Sequence, residues 1–345
     1  MNKTVLITSG DPAGVGGEVI LRLAANEIFR SVPSLVAGRK SIYEKLASDM
    51  GFPVDINLVD NSLRLKSGAL NIIEPACENK FIYGAGPGEA SSREALAYLE
   101  LACGLIKDKA ADKLITAPVS KEGIASLRED FSGPLEIAKQ SLGLKPGNLS
   151  DFSGHTYYLA DFFGVERKKA VMLFLSRTIR VVLVTQHLPL KDVSSAINKE
   201  AVVNAAVAAG LAGNFMGIEA PRVAVCSLNP HCGDGGILGL EEKEEIIPAV
   251  EELQKRGIHA YGPMSAEDAS SGSLKNKYDF IVAMYHDQGI LPVKLFSHGR
   301  AINFTWGLPF KRVSPLHGTA FDIAGQFIAR AESMIECFRV ISELK

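Results

Sequence analysis

The sequence predicts an α/β protein of two domains, with mostly parallel sheets, helices on both faces and a cleft between the domains. Three observations carry that expectation. Short apolar, β-branched runs alternate with longer stretches of helical periodicity, the pattern of parallel strands joined by crossover helices. At 345 residues the chain exceeds the size at which one hydrophobic core usually stops growing. A 47% hydrophobic and 22% charged composition is that of an ordinary folded chain, which excludes disordered, collagen-like and disulfide-stapled classes.

The elements follow in order. Thr4–Thr8 is a first strand, and the turn residues after it are unlike a signal peptide. Residues 18–25 open a helix with Val19, Ile20 and Leu23 on one stripe. Ser34–Ala37 and Leu70–Ile73 read as strands. Over residues 91–107, Leu96, Leu99, Ala102, Cys103 and Ile106 recur at helical spacing. Residues 113–116 form the next strand, ending in Thr116-Ala117-Pro118. Gly133-Pro134 and Pro146-Gly147 interrupt residues 126–153, which suggests a helical hairpin or lid. From Lys169 the pattern resumes as VMLFLS, IRVVLVTQH, an Ala-rich helix over 200–211, RVAVCSLNPH, a helix over 241–255 and YDFIVAMYH. Breaks near 122 and 305 divide the chain into a first domain (1–122 plus 305–345) and an inserted domain (123–304).

Charge narrows the partners. With 37 Lys+Arg against 39 Asp+Glu, the chain lacks the positive field of a general nucleic-acid binder. An anionic ligand must therefore be held by a few local cations. Five scattered cysteines without a Cys-x-x-Cys pair read as reduced thiols of a cytoplasmic protein. No apolar stretch approaches the roughly 18 residues of a membrane span. Neither a nucleic acid nor a membrane is expected as partner. Glycine is the one excess, at 32 residues against a typical share of roughly 7%. Gly10, Gly14, Gly16, Gly17, Gly154, Gly233, Gly235, Gly236, Gly289 and Gly318 fall in turns expected to let backbone approach substrate and cofactor.

Three of the seven histidines each stand just past an apolar strand: His187, His231 and His286. In an open parallel sheet, ligands bind outside the carboxyl ends of the strands. A single loop histidine is ordinary; three at equivalent strand ends favour a divalent-metal site with one position open. Asp287 could serve that site as an orienting partner or a proton acceptor, or could cap the next turn. Lys294, Asn303 and Arg312 follow on the stretch leaving the histidines, and a cationic pair with an amide suits a small phosphate or carboxylate ligand. Gly154-His155-Thr156 is a short donor-rich turn, and Lys121 adds a cation after Thr116. The turn over residues 10–18, GDPAGVGGE, matches neither the dinucleotide-binding nor the P-loop pattern, although the helix it opens could face an anion.

Together these segments resemble the 4-hydroxythreonine-4-phosphate dehydrogenase family of vitamin B6 biosynthesis. The segments are GDPAGVGGE, TAPVSK (116–121), GHT (154–156), QHLPL (186–190), LNPHCGDGG (228–236), YHDQG (285–289), NFTWGLPFKR (303–312) and HGTAFDIAG (317–325). The resemblance implies an isocitrate/isopropylmalate dehydrogenase-like fold and a homodimer whose active site is shared at the interface. It also implies NAD- or NADP-linked oxidation of 4-phosphohydroxy-L-threonine, followed by decarboxylation, with one divalent ion (Zn, Mg or Co). The family's metal ligands fall on His187, His231 and His286. Its substrate contacts fall on His155, Thr156, Lys294, Asn303 and Arg312. The segment from His317, Gly318, Thr319 and Ala320 to Asp322 resembles the superfamily's adenosine-binding loop, and Asp287 is the candidate catalytic carboxylate. Tyr157 follows GHT where the family usually carries Glu. Relatives oxidise other four-carbon phosphorylated acids or aromatic dihydrodiols, and a phosphotransacetylase-like activity occurs on a related fold.

Overall fold

A computed structural model of the chain describes residues 4–77, 80–127 and 152–344. The hairpin or lid expected at 126–153 lies almost wholly outside the described residues. The chain is α/β throughout and divides into two compact units, Met1–Ala170 with Gly307–Lys345, and Val171–Trp306. The first boundary therefore falls at residue 170, well past the break expected near 122. The reason is packing: Phe152 and Leu159 are buried in the same core cluster as Leu99, Cys103 and Phe310.

In the first unit, β1 (Thr4–Thr8), β2 (Ser34–Ala37), β3 (Ile56–Leu58), β4 (Leu70–Ile73), β5 (Ala111–Thr116) and the strand Lys311–Pro315 form a parallel array. Their order is β3-β4-β2-β1-β5 and then Lys311–Pro315. Val5, Leu6 and Ile7 are wholly buried, as the unbroken apolar run of a strand covered on both faces requires. The helix Glu89–Lys107 lays its predicted stripe against β1 and β5, and Glu332–Glu343 packs against β5 and Lys311–Pro315.

In the second unit, β6 (Val171–Leu175), β7 (Arg180–Leu183), β8 (Arg222–Cys226), β9 (His259–Met264), β10 (Phe280–Ala283) and β11 (Ile302–Trp306) run in the order β11-β6-β7-β10-β8-β9. β7, β10, β8 and β9 are parallel, but β6 is antiparallel to both its neighbours. The run VMLFLS–IRVVLV is thus a hairpin rather than part of a purely parallel array. Residues 176–179 make a tight turn, and a parallel crossover needs a dozen residues or more. The helix Lys199–Phe215 packs on this sheet through buried alanines, whose small side chains let it lie close. Among the described residues no helix is long and apolar enough to cross a membrane. All five cysteines are free.

Candidate functional site

β7, β10 and β8 are adjacent and parallel, so their carboxyl ends lie side by side at one edge of the second unit. The predicted histidines leave from that edge. His286 begins the helix His286–Ser297 directly after β10, His187 follows β7, and His231 lies in the segment Pro230–Gly236 after β8. The edge is cross-linked. Thr185 donates through Oγ1 to the Met284 carbonyl at 2.7 Å. Gln288 accepts from the Met284 N–H at 2.7 Å and donates to the Ser227 carbonyl at 2.8 Å. Neither residue was singled out from the sequence; two positions from a strand-end histidine was the available signal.

The His187 and His286 rings converge, with centroids 5.8 Å apart. Nδ1 of His286 lies 2.7 Å from Oδ1 of Asp287. A carboxylate can only accept, so Nδ1 carries the hydrogen, and the neutral form of the ring has its Nε2 lone pair free for a ligand. His231 does not join the pair: among the described residues no group of three His, Cys, Asp or Glu side chains is placed to hold a metal ion. It rides instead on a left-handed turn in which residues 231–236 all have positive φ, 50° at His231 itself. The donors fit a divalent ion of the kind imidazole favours. His187 and His286 converge, with Asp287 setting the tautomer of His286, and His231 lies in the segment that follows the adjacent strand.

Lys294 is exposed on the last turn of the helix His286–Ser297. Asn303, on β11, donates to Sδ of Met172 at 3.4 Å, and its Oδ1 is buried without a hydrogen-bond partner. An unsatisfied buried acceptor costs about 1–3 kcal/mol, which is readily explained if a ligand donor completes it.

The other predicted substrate residues lie in the first unit. Arg312, only 2% exposed, sits on Lys311–Pro315 and donates through its guanidinium to Oγ1 of Thr116, the last residue of β5. Burial pushes its pKa down to about 10. His155 opens the helix His155–Phe162 after Gly154, whose φ of 126° suits glycine. Burial holds the His155 imidazole well below its ordinary pKa, and the charges of Arg312 and Lys121 push it further down. It is therefore neutral near pH 7, and its Nε2 is buried without a partner. Lys121, desolvated enough to lower its own pKa, begins a helix capped by Ser120, which accepts from Gly123 N–H at 2.9 Å. Thr156 is buried beside them. Two cations, a neutral imidazole and hydroxyls make an anion-binding environment.

The turn over residues 10–18 has a different use from the one expected. A Cβ on Gly10 would lie 2.3 Å from the Pro118 carbonyl, and one on Gly14 would lie 2.6 Å from the Thr319 carbonyl. These glycines admit neighbouring protein backbone rather than a ligand. Gly289 likewise lies against Val181 and Leu183, so only part of the glycine excess borders candidate ligand positions. The turn holds the candidate cofactor loop: Val15 N–H donates to the Thr319 carbonyl at 2.9 Å, and Oε1 of buried Glu18 accepts from Gly325 N–H at 2.7 Å. In that loop, His317 has Nδ1 3.0 Å from the Gly318 carbonyl and a buried Nε2 without a partner. Gly318 and Asp322 are exposed, and Thr319 and Ala320 half-buried.

Comparison with known proteins gives a consistent pattern. The family model described as pyridoxal phosphate biosynthetic protein PdxA matches residues 146–341. A 4-hydroxythreonine-4-phosphate dehydrogenase of Sulfurihydrogenibium sp. is 35% identical over 346 residues, covering 98% of this chain and 97% of its own. A Halalkalibacterium halodurans protein provisionally named D-threonate 4-phosphate dehydrogenase is 33% identical over 350 residues, covering 99% of this chain and 98% of its own. The solved 4-hydroxythreonine-4-phosphate dehydrogenase of Klebsiella pneumoniae superposes with a TM-score of 0.80 at 27% identity, over 100% of this chain and 98% of that one.

Proposed function

Because this chain belongs to the pyridoxal phosphate biosynthetic protein PdxA family, we propose that it oxidises 4-phosphohydroxy-L-threonine with NAD or NADP. The product, 2-amino-3-oxo-4-phosphooxybutanoate, is a β-keto acid and loses carbon dioxide to give 3-amino-2-oxopropyl phosphate. The convergence of His187 and His286 at adjacent parallel strand ends is the observation that carries this reading. A divalent ion held by His187, His231 and His286 would supply Lewis-acid polarisation of the substrate hydroxyl.

The chain's own residues do the rest. Asp287 fixes the His286 tautomer; the geometry favours this orienting role over proton abstraction, since the carboxylate is engaged with the ring. His155, Thr156 and Arg312, with Lys121, recognise an anionic group, and the neutral imidazole can donate or accept without adding charge. Lys294 supplies a further cation, and Asn303 Oδ1 accepts from a substrate hydroxyl or ammonium. His317, Gly318, Thr319, Ala320 and Asp322 contact the cofactor, whose nicotinamide takes the hydride. We assign a homodimer on the apolar side chains that the second unit exposes, Leu291, Leu295 and Phe296 on one helix and Leu211 and Phe215 on another. A site shared at the dimer interface accounts for His231 standing apart from the other two histidines within one chain.

A second reading is favoured by Tyr157. It is half-buried under the Arg167 guanidinium, 5.4 Å from the ring centroid, and offers no carboxylate to pair with a substrate ammonium. D-threonate 4-phosphate, with a hydroxyl in place of the amine, would not need one. The test is to incubate the protein with each phosphate in turn, with NAD and NADP and added metal, and follow products by mass spectrometry. We expect reduced cofactor and 3-amino-2-oxopropyl phosphate from 4-phosphohydroxy-L-threonine. Turnover of D-threonate 4-phosphate alone would transfer the assignment to the second reading.

A further inference from the structure

The left-handed turn after β8 needs a cause. L-residues avoid left-handed helix because Cβ crowds the following carbonyl, and even Asn or Asp adopts it as a single residue rather than as a run. Here His231, Cys232 and Asp234 take φ of 50°, 54° and 43°, with Gly233, Gly235 and Gly236 between and after them. Backbone of this kind persists only where the surroundings over-determine it, and such strain gathers at functional positions.

The surroundings are dominated by one side chain. Glu242 begins the helical segment after the turn and is only 2% exposed. Its Oε1 accepts from the backbone N–H groups of Leu228 and Asn229, both at 2.8 Å, where the chain leaves β8. Its Oε2 accepts from the Asn229 amide at 2.9 Å, and a Cβ on Gly233 would come within 2.7 Å of the same oxygen. The neighbours complete the hold. Glu241 takes a second hydrogen bond from the Asn229 amide at 2.7 Å and accepts from Ser194, on the helix Leu190–Ala196 that follows His187. Lys243 donates to the Gly235 carbonyl inside the turn.

We infer that Glu242 is a positioning residue: its buried carboxylate fixes the left-handed turn that carries His231, and so sets the metal affinity of the histidine site. The inference rests on the reading of His187, His231 and His286 as metal ligands. Both carboxylate oxygens of Glu242 are engaged by Leu228 and Asn229, so it acts through the segment 228–233. Outer partners of metal ligands commonly govern affinity by about 10–100-fold, because they set ligand orientation before the ion arrives.

The test is calorimetric titration of Co²⁺ into the chelator-stripped full-length protein and its variants, with thermal melting of each metal-free form alongside. Glu242→Ala removes every bond, and Glu242→Asp keeps the charge but withdraws the oxygens. Glu242→Gln keeps the Oε1 acceptor for Leu228 and Asn229, and Glu241 still takes the Asn229 amide. We expect Ala and Asp to weaken Co²⁺ binding by about 10–100-fold and Gln to restore it to near the wild-type value. If the Ala variant does not fold, the contrast between Asp and Gln carries the test. Wild-type affinity in both Asp and Ala, with only their melting temperatures lowered, would leave Glu242 a structural residue and overturn the inference. His231→Ala binding Co²⁺ as tightly as wild type would instead remove the metal reading, and the inference with it.

Discussion

His155 is the residue whose environment speaks most directly. Its imidazole is kept neutral by burial and by two nearby cations, so it can serve an anion as a hydrogen-bond partner without competing for charge. The same environment makes it a liability in acid. A histidine with a depressed folded-state pKa leaves stability intact above the unfolded value of about 6.5, and that stability falls as pH drops toward the folded value, because only the unfolded chain takes up the proton. His155→Gln removes that proton uptake. We expect urea denaturation to show the variant losing less stability than wild type between pH 7 and pH 5; identical losses would mean that His155 is not held neutral. Arg312 answers a different question. The sequence offered it as a cation after Asn303 and a candidate substrate contact, with no sign that it would be buried on a strand with its guanidinium on Thr116. Burial of that depth depends on tertiary packing, which spacing along the chain does not report.

Among the strands, the readable ones were those buried on nearly every face. Thr4–Thr8, Ser34–Ala37 and Leu70–Ile73 are buried along their length apart from half-buried Thr4, and match the sequence reading residue for residue. Four strands were missed: Ile56–Leu58 is short and partly exposed, His259–Met264 contains Gly262-Pro263, Ile302–Trp306 carries Asn303 and is not buried throughout, and Lys311–Pro315 begins with two cations. The helix His286–Ser297 escaped because Pro292 and Gly289 break its pattern, yet Gly289 is what lets it lie on the sheet. A Cβ there would stand 2.6 Å from Leu183 and 2.7 Å from Val181, on the strand that leads to His187. Gly289→Ala is therefore expected to cost about 1–3 kcal/mol by overpacking. Gly318→Ala, which meets nothing within 4 Å, should be close to neutral. Chemical denaturation of the two variants checks the contrast, and equal stabilities would contradict it.

At the scale of the whole molecule, the α/β class and the placing of histidines at strand ends were legible, because both follow from periodicity and from where parallel sheets present their carboxyl ends. The boundary at residue 170 and the β6–β7 hairpin were not, since each is decided by which core a segment joins. The function proposed requires the histidines to act through a metal ion. The most direct test is the initial rate of NAD(P)H formation on 4-phosphohydroxy-L-threonine, measured for the chelator-stripped protein, after restoring Co²⁺, Mg²⁺ or Zn²⁺, and for His286→Ala with the metal restored. The account predicts background rates in the stripped protein and the variant, and recovery in the remetallated wild type. An undiminished rate in the presence of chelator, or in His286→Ala, would contradict it.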